Sequence, residues 1–378
     1  MQATLIQWFE TLHRFPEPSK AEFRTNRLIR EALDARGIPY LAPTENITIA
    51  VIEGALPGKT VGLRCDTDAL QVKELTDLPY RSEVEGKMHA CGHDAHTASG
   101  LGAAYLLHAA REALSGTVKV IFQPAEEGEL GAQAVVNTGC VDDVTAFFAL
   151  HVSPDYPTGT LVCSPGPICA CPDMFTVTLT GKGGHGAYPH LCLDPVAAGA
   201  ALIQSFQHIV SRFTDPLQPV VLSVCTFHAG TRCNIIAEQA ILEGTVRTFD
   251  RDVHDRVAEH MRQMVGQIAS AHGCAGTFET RKATDVVVND ESLVRLAMES
   301  ARRFAPDGPF HAQPRTMMGD DFSDYAGIAP CCYAQVGIAN PEKRTNFTQH
   351  HGLFAVDEDA LPVCAAWLCQ FAWDATTR

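Results

Sequence analysis

Over the first 171 residues, apolar positions follow two alternating periods. Leu5 to Arg14 and Ala21 to Arg36 place apolar side chains at amphipathic-helix spacing, while Ile47 to Ile52 and Val61 to Arg64 are short apolar runs of strand length. An alanine-rich apolar run from Thr97 to Ala113 predicts a helix that starts near Asp94, and strands follow at 118–123 and 145–151. Short strands alternating with helices predict an α/β fold, a mixed, mostly parallel sheet with helices on both faces. The Pro- and Gly-rich stretch Ser153 to Pro172 interrupts that pattern.

A different order begins at Met174. Phe175 to Thr180 alternates cleanly, then come a helix (Asp194 to Phe213), two strands (Val220 to Phe227 and Gln239 to Thr248), a helix (Asp252 to His272) and a strand near Thr277 to Lys282. The order β-α-β-β-α-β is that of the split, ferredoxin-like α+β unit. From about residue 285 the α/β character resumes. The expectation is one α/β domain made of 1–171 and 285–378, with 172–284 inserted into it.

Composition narrows the class of function. A net charge of −15, with no offsetting basic cluster, disfavours nucleic acid and anionic membranes as partners. No apolar run of 18 residues suggests a membrane span, and the opening Met1 to Glu10 lacks the basic region and cleavage pattern of a signal peptide. The 14 cysteines then imply buried thiols in a reducing, cytoplasmic compartment. Cys169-Ala-Cys171 and Cys331-Cys332 have the wrong spacing for a zinc ribbon and read as structural.

The chemistry concentrates in Met88-His-Ala-Cys-Gly-His-Asp-Ala-His96. Cys91 and His93 flank a glycine just before the predicted helix, so both can serve as ligands of a divalent metal. The helix N-terminus should ease ionisation of the Cys91 thiol. Three further segments carry what a hydrolytic metal centre needs. Glu126 and Glu127 follow the apolar strand ending Phe122-Gln-Pro-Ala. One of them can bind metal while the other moves a proton, although a solvated acidic turn would have the same sequence. His151 closes the strand that starts at Thr145, where it is a ligand candidate or a core residue. His350 and His351 precede Asp357-Glu-Asp359 and could equally occupy a surface turn.

These stretches resemble the M20 family of metallopeptidases and amidohydrolases, in the branch that includes hippurate hydrolases, N-acyl-amino-acid deacylases and auxin-conjugate hydrolases. The matching motifs are LRCDTDAL (63–70), MHACGHDAH (88–96), FQPAEEG (122–128), ALHV (149–152), GKGGHGAYPH (181–190), GTVRTFD (244–250) and HHGLFAVDEDALP (350–362). The resemblance implies metal ligands at Cys91, His93, Glu127, His151 and His350, with Cys91 bridging two divalent ions (zinc, manganese, cobalt or nickel). Glu126 matches the family's general base. His351 stands behind His350 for the last ligand, while His89 and His96 are supporting residues. Asp66 resembles the acidic residue that orients a ligand imidazole, or is a salt-bridged aspartate at a strand end.

The inserted domain takes, by resemblance, the part of lid and dimerisation domain in a homodimer. His185 would stabilise the oxyanion, and Asn234 and Arg247 would hold the free carboxylate of a small N-acyl amino acid. The chain departs from the family pattern in three places. Asn234-Ile-Ile-Ala237 lacks the usual proline, Gly319-Asp-Asp-Phe322 puts Asp320 where glutamate is common, and His350-His-Gly replaces His-Ser/Asn-Pro. The implied activity is a metal-dependent N-acyl-amino-acid amidohydrolase. The alternatives are a dipeptidase of the same fold and a non-catalytic binder.

Overall fold

The computed structural model describes residues 1–128 and 130–377. The chain divides into two compact units, Met1–Ile168 with Val288–Pro314 and Asp321–Arg378, and Cys169–Val287 with Arg315–Asp320. Among the described residues no helix is long and apolar enough to cross a membrane.

The first unit is built on an eight-stranded sheet. Its strands lie in the order Tyr40–Thr44, Ile47–Glu53, Ser115–Gln123, Leu56–Asp66, Ala146–Pro157, Cys331–Ala339, Leu161–Val162 and Phe310–His311. The central pairings are parallel, and antiparallel strands flank them on either side. Adjacent residues of Ala146–Pro157 show that both faces are covered. Phe148 stacks on Phe371 of the Leu361–Ala375 helix at 4.1 Å, while Phe147 points to the other face and meets Tyr325 at 4.8 Å. Parallel strands buried on both faces need nearly continuous apolar runs, which is how they read in the sequence.

Parallel strands also align their carboxyl ends on one side, where crevices form in such sheets. Asp66 and Gln123 pair in register at the ends of neighbouring strands, and the Pro124–Gly128 turn leaves from there. The helix expected to start near Asp94 spans His93–Ala109, and a separate 3-10 turn covers Arg111–Ala113. It is buried on nearly every side, and a Cβ on Gly100 would lie 2.5 Å from Cys65 Sγ. The missing side chain lets this helix lie directly on the sheet. Gly92, at φ 91, makes the left-handed entry that only glycine adopts freely.

The first helix, Gln2–Arg14, ends on a buried ion cluster. His13 Nδ1 lies 2.7 Å from Asp94 Oδ2, and its Nε2 lies 3.3 Å from Glu74 Oε1. Burial alone would lower the pKa of His13, but the hydrogen bonds to Asp94 and Glu74 outweigh it and raise the value to about 9. The unfolded value is about 6.5. The stabilisation is therefore complete below that pH and is lost as pH rises through about 9. His13→Gln should cost on the order of 3 kcal/mol in mild acid. The difference in melting temperature from the wild type should shrink steadily between about pH 6 and 9.5. Thermal unfolding across that range checks it, and a gap independent of pH would mean that His13 is held as a neutral ring.

The second unit carries a four-stranded antiparallel sheet in the order Val220–Ala229, Gln239–Thr248, Cys171–Thr180, Ala275–Lys282. This is the arrangement produced by two interleaved split β-α-β pieces. Phe175, Val177 and Leu179 are buried with the Pro195–His208 and Arg251–Ala271 helices in one core, and the threonines between them point to the opposite face. The Asp194 and Asp250 carboxylates accept backbone N–H groups at the starts of the two helices. Sequence pattern placed the first of these helices at Asp194 to Phe213, whereas its α-helical part ends at His208 and a π-helical turn covers Ile209–Phe213.

Candidate metal centre

Five segments of the first unit, remote in sequence, converge at the carboxyl edge of its sheet. Cys91 and His93 enter at the start of the His93–Ala109 helix, Glu126 and Glu127 from the turn after Ser115–Gln123, and His151 from Ala146–Pro157. His350 enters from the segment before the last helix, and Asp66-Thr-Asp68 from the end of Leu56–Asp66. Donor atoms of Cys91, His93 and His151 lie within 4.8 Å of one another, as do those of Cys91, Glu127 and His350, and those of His93, Glu126 and Glu127. Cys91 Sγ is 3.5 Å from His151 Nε2, and His350 Nε2 is 3.2 Å from Glu127 Oε1.

Two observations bear on whether a cation fits among these side chains. His93 Nε2 is buried without a hydrogen-bond partner among the described residues, yet carboxylate oxygens of Asp66, Glu126 and Glu127 surround it at 3.8, 3.9 and 4.0 Å. A buried imidazole nitrogen in that state wants a positive charge in front of it. Its electrostatics agree. Burial by itself would lower the pKa of His93, but Asp66 and the other neighbours hold it well above the usual range, a field that also favours a cation there. A thiolate, imidazoles and a carboxylate together form a donor set suited to divalent transition metals.

The imidazoles are oriented by their other nitrogens. His93 Nδ1 lies 2.9 Å from the Asp68 carbonyl and 3.2 Å from its carboxylate, so Nε2 is left for a ligand. His151 Nδ1 faces the Val152 carbonyl at 2.8 Å, and its Nε2 points to Cys91. Burial and then the neighbouring His96 hold His151 well below the usual range, which keeps it a neutral donor.

Several expectations need revision. Of the two readings of Asp66, the salt-bridged strand-end aspartate holds, and it does not orient a ligand imidazole. It ion-pairs with Arg64 and takes His96 Nδ1 at 2.5 Å, and Asp68 orients His93 instead. Against the eased ionisation expected from the helix start, burial, then Glu127, holds the Cys91 thiol well above the normal range, a direction that a bound cation would reverse. His351 stacks on Phe347, with ring centroids 5.5 Å apart, and its Nδ1 accepts the Leu353 N–H. His96 supports the site from behind, accepting the Val152 N–H at Nε2. His89 is buried, neither of its ring nitrogens has a hydrogen-bond partner among the described residues, and burial lowers its pKa to about 4.

Residues passed over in the sequence proved to matter. Asp68 accepts the backbone N–H groups of Glu126 and Glu127 at 3.1 Å each and the Ser19 hydroxyl at 2.7 Å. Asp321, the neighbour of Asp320, accepts from Arg64, Gln123 and the Ala132 N–H, which ties down the far side of the same turn. Repetition of aspartate in Asp66-Thr-Asp68 and Asp320-Asp321 was the available signal, but which member faces the site depends on the strand's exit.

The remaining candidates lie in the second unit. Gly184–His185 pairs with Ile235–Ile236, which brings His185 beside Asn234, and the Gly186 N–H donates to the Asn234 carbonyl at 2.9 Å. His185 is exposed and its Nδ1 accepts the Ala187 N–H. Arg247 Nη1 donates to the Met317 carbonyl at 2.7 Å. Asp320 is buried in this unit.

Comparisons with known proteins bear on the family. The description Peptidase family M20/M25/M40 matches residues 62–374. N-acetylcysteine deacetylase of Bacillus subtilis (strain 168) is 39% identical over 370 residues, covering 97% of this chain and 96% of that protein. Thermostable carboxypeptidase 1 of Saccharolobus solfataricus is 37% identical over 365 residues, covering 96% and 92%. The crystal structure of a Bacillus subtilis dinuclear metal binding peptidase from the M20 family superimposes with a TM-score of 0.87 at 35% identity, covering 99% of this chain and 98% of that one. The chain is a hydrolase of amide bonds and belongs to peptidase family M20/M25/M40.

Proposed function

We propose that this protein hydrolyses N-acyl-L-amino acids, releasing the free amino acid from the acyl group. The observation that carries the reading is the pair of adjacent carboxylates at the donor cluster. Glu127 reaches His350 within the donor cluster, while Glu126 stands next to it with its oxygen 3.9 Å from His93 Nε2. A pure binding site has no use for a second acid there. The likeness to an N-acetylcysteine deacetylase at 39% identity supports the substrate class.

Cys91, His93, Glu127, His151 and His350 would hold two divalent ions, zinc, manganese, cobalt or nickel. When bound, these supply the charge that acidifies a water molecule and polarises the acyl carbonyl. Glu126 takes a proton from the attacking water and returns it to the amine nitrogen as the C–N bond breaks, so the carboxylate is regenerated. Its place beside a ligand in the chain holds its carboxylate in reach. In the second unit, His185 is assigned to the oxyanion, and Asn234 and Arg247 to the substrate carboxylate. A guanidinium suits that planar anion, and among the described residues the hydrogen bond of Arg247 to the Met317 carbonyl uses Nη1. The same reading has the protein act as a homodimer through its second unit in the cytoplasm, where its 14 free thiols persist.

The likeness to a carboxypeptidase makes peptide cleavage the second reading. A hydrolysis screen separates the two. N-acetyl and N-benzoyl amino acids should be cleaved, their carboxamide analogues about 100-fold less well because the half-buried Arg247 guanidinium then lacks its anion, and free dipeptides poorly. Chelation should abolish turnover and added metal restore it. Cleavage of dipeptides in preference to N-acyl amino acids would replace this reading with the peptidase. Absence of hydrolysis with every metal would leave a binder.

A further inference from the structure

We propose that Glu22, contributed by the segment between the first two helices, is a positioning residue for Glu126. The inference rests on the general-base reading of Glu126. It starts from the three consecutive amides of Ala125, Glu126 and Glu127, each bound by a buried carboxylate. Glu22 Oε1 accepts the Ala125 N–H at 2.8 Å, and Asp68 Oδ1 and Oδ2 accept the Glu126 and Glu127 N–H groups at 3.1 Å each. Ala125 has φ 57, a left-handed conformation that a residue with a Cβ keeps only where its surroundings enforce it.

Glu22 is completely buried and precedes the Phe23–Asp34 helix, whose N-cap it occupies, yet its side chain does not cap that helix. Oε1 instead takes the Ala125 and Lys20 N–H groups, while Oε2 takes Asn46 Nδ2 at 3.2 Å. No basic side chain forms an ion pair with it among the described residues. A buried carboxylate without a counter-ion is costly, so helix capping and charge pairing do not explain its place. Holding Ala125 left-handed does. The next residue is then aimed from a fixed Cα, and misplacement of a reacting group by about 1 Å is enough to cost on the order of 100-fold in rate.

The same segment reaches Asp68 as well. The Ser19 hydroxyl donates to Asp68 Oδ2, and the Ala69 N–H donates to the Glu17 carbonyl. The connection between the first two helices thus supports the catalytic turn along both of its carboxylate clamps.

The test compares Glu22→Ala, Glu22→Gln and Glu22→Asp in the metal-loaded full chain, with Glu126→Gln as reference. Glu22→Ala should lower kcat about 10- to 100-fold with KM within about twofold, since the acid is misaimed and substrate contacts are untouched. Bound metal per chain and the melting profile at the assay temperature should show the folded, loaded enzyme. Glu22→Gln keeps an oxygen for Ala125 and should recover most of the rate. Glu22→Asp keeps the charge but falls short of the amide, so it should resemble the alanine variant. It also decides the matter if Glu22→Ala does not fold.

Wild-type kcat in Glu22→Ala or Glu22→Asp overturns the proposal. So does a loss of kcat that only tracks lost metal or lost folded protein, because Glu22 would then be structural. If Glu126→Gln is itself fully active, the general-base reading fails instead, and that result is visible without the Glu22 variants.

Discussion

Glu126→Gln should bind metal like the wild type and lose about 10²- to 10⁴-fold in kcat, the range that a positioned acid–base group contributes. The substitution leaves Cys91, His93, Glu127, His151 and His350 untouched. It also leaves the Glu126 N–H on Asp68, so the turn keeps its shape. What it removes is the ability to take a proton from water and hand it to the leaving amine. KM should therefore move little, because an interaction used only in the transition state is lost. Metal analysis should give about two ions per chain in both proteins, and steady-state kinetics on an N-acetyl amino acid reads the rate. Near wild-type turnover in Glu126→Gln would remove the residue from the mechanism.

Asp68→Asn should weaken metal binding about 10- to 100-fold, as loss of a ligand's orienting partner does elsewhere, and depress kcat further. This carboxylate is buried and accepts four groups, His93 Nδ1, the Ser19 hydroxyl and two successive amides. An asparagine of the same shape sets an NH₂ against one of those donors and leaves a buried donor unpaired. Ligand orientation and the aim of Glu126 suffer together. Asp66→Asn is the informative contrast. Asp66 serves His96 and Arg64 rather than a ligand's orienting nitrogen, so it should affect thermal stability more than metal affinity. A chelator-competition titration on both variants decides, and a larger affinity loss in Asp66→Asn would reassign the orienting role.

How legible the site was varies from residue to residue. Cys91 and His93 stand two apart around a glycine, and Glu126 and Glu127 follow a Pro-Ala turn after an apolar strand. Local chemistry marked all four. The sequence placed His151 at the end of a strand, whereas the strand runs on to Pro157 and His151 meets Cys91 from within it, where the neighbouring parallel strand has already ended at Asp66. Within the pair His350-His351, local pattern could not decide. The left-handed backbone at His350 turns its ring to Glu127, while His351 turns to Phe347. Glu22 carried no local mark, because what gives it a task is a backbone amide 103 positions away.

The sequence by itself determined most of the main helices and strands and their order, because helix and strand periods are properties of neighbouring residues. It also determined which segments carry chemistry, because side-chain type does not change on folding. Tertiary structure decided everything that depends on surroundings. It made Asp68 rather than Asp66 the partner of His93, and it reversed the expected ease of ionising Cys91. It also bound three successive amides to two distant acids. Burial and hydrogen bonding act through space, so the protonation and orientation of each group are set by residues that sequence spacing leaves far apart.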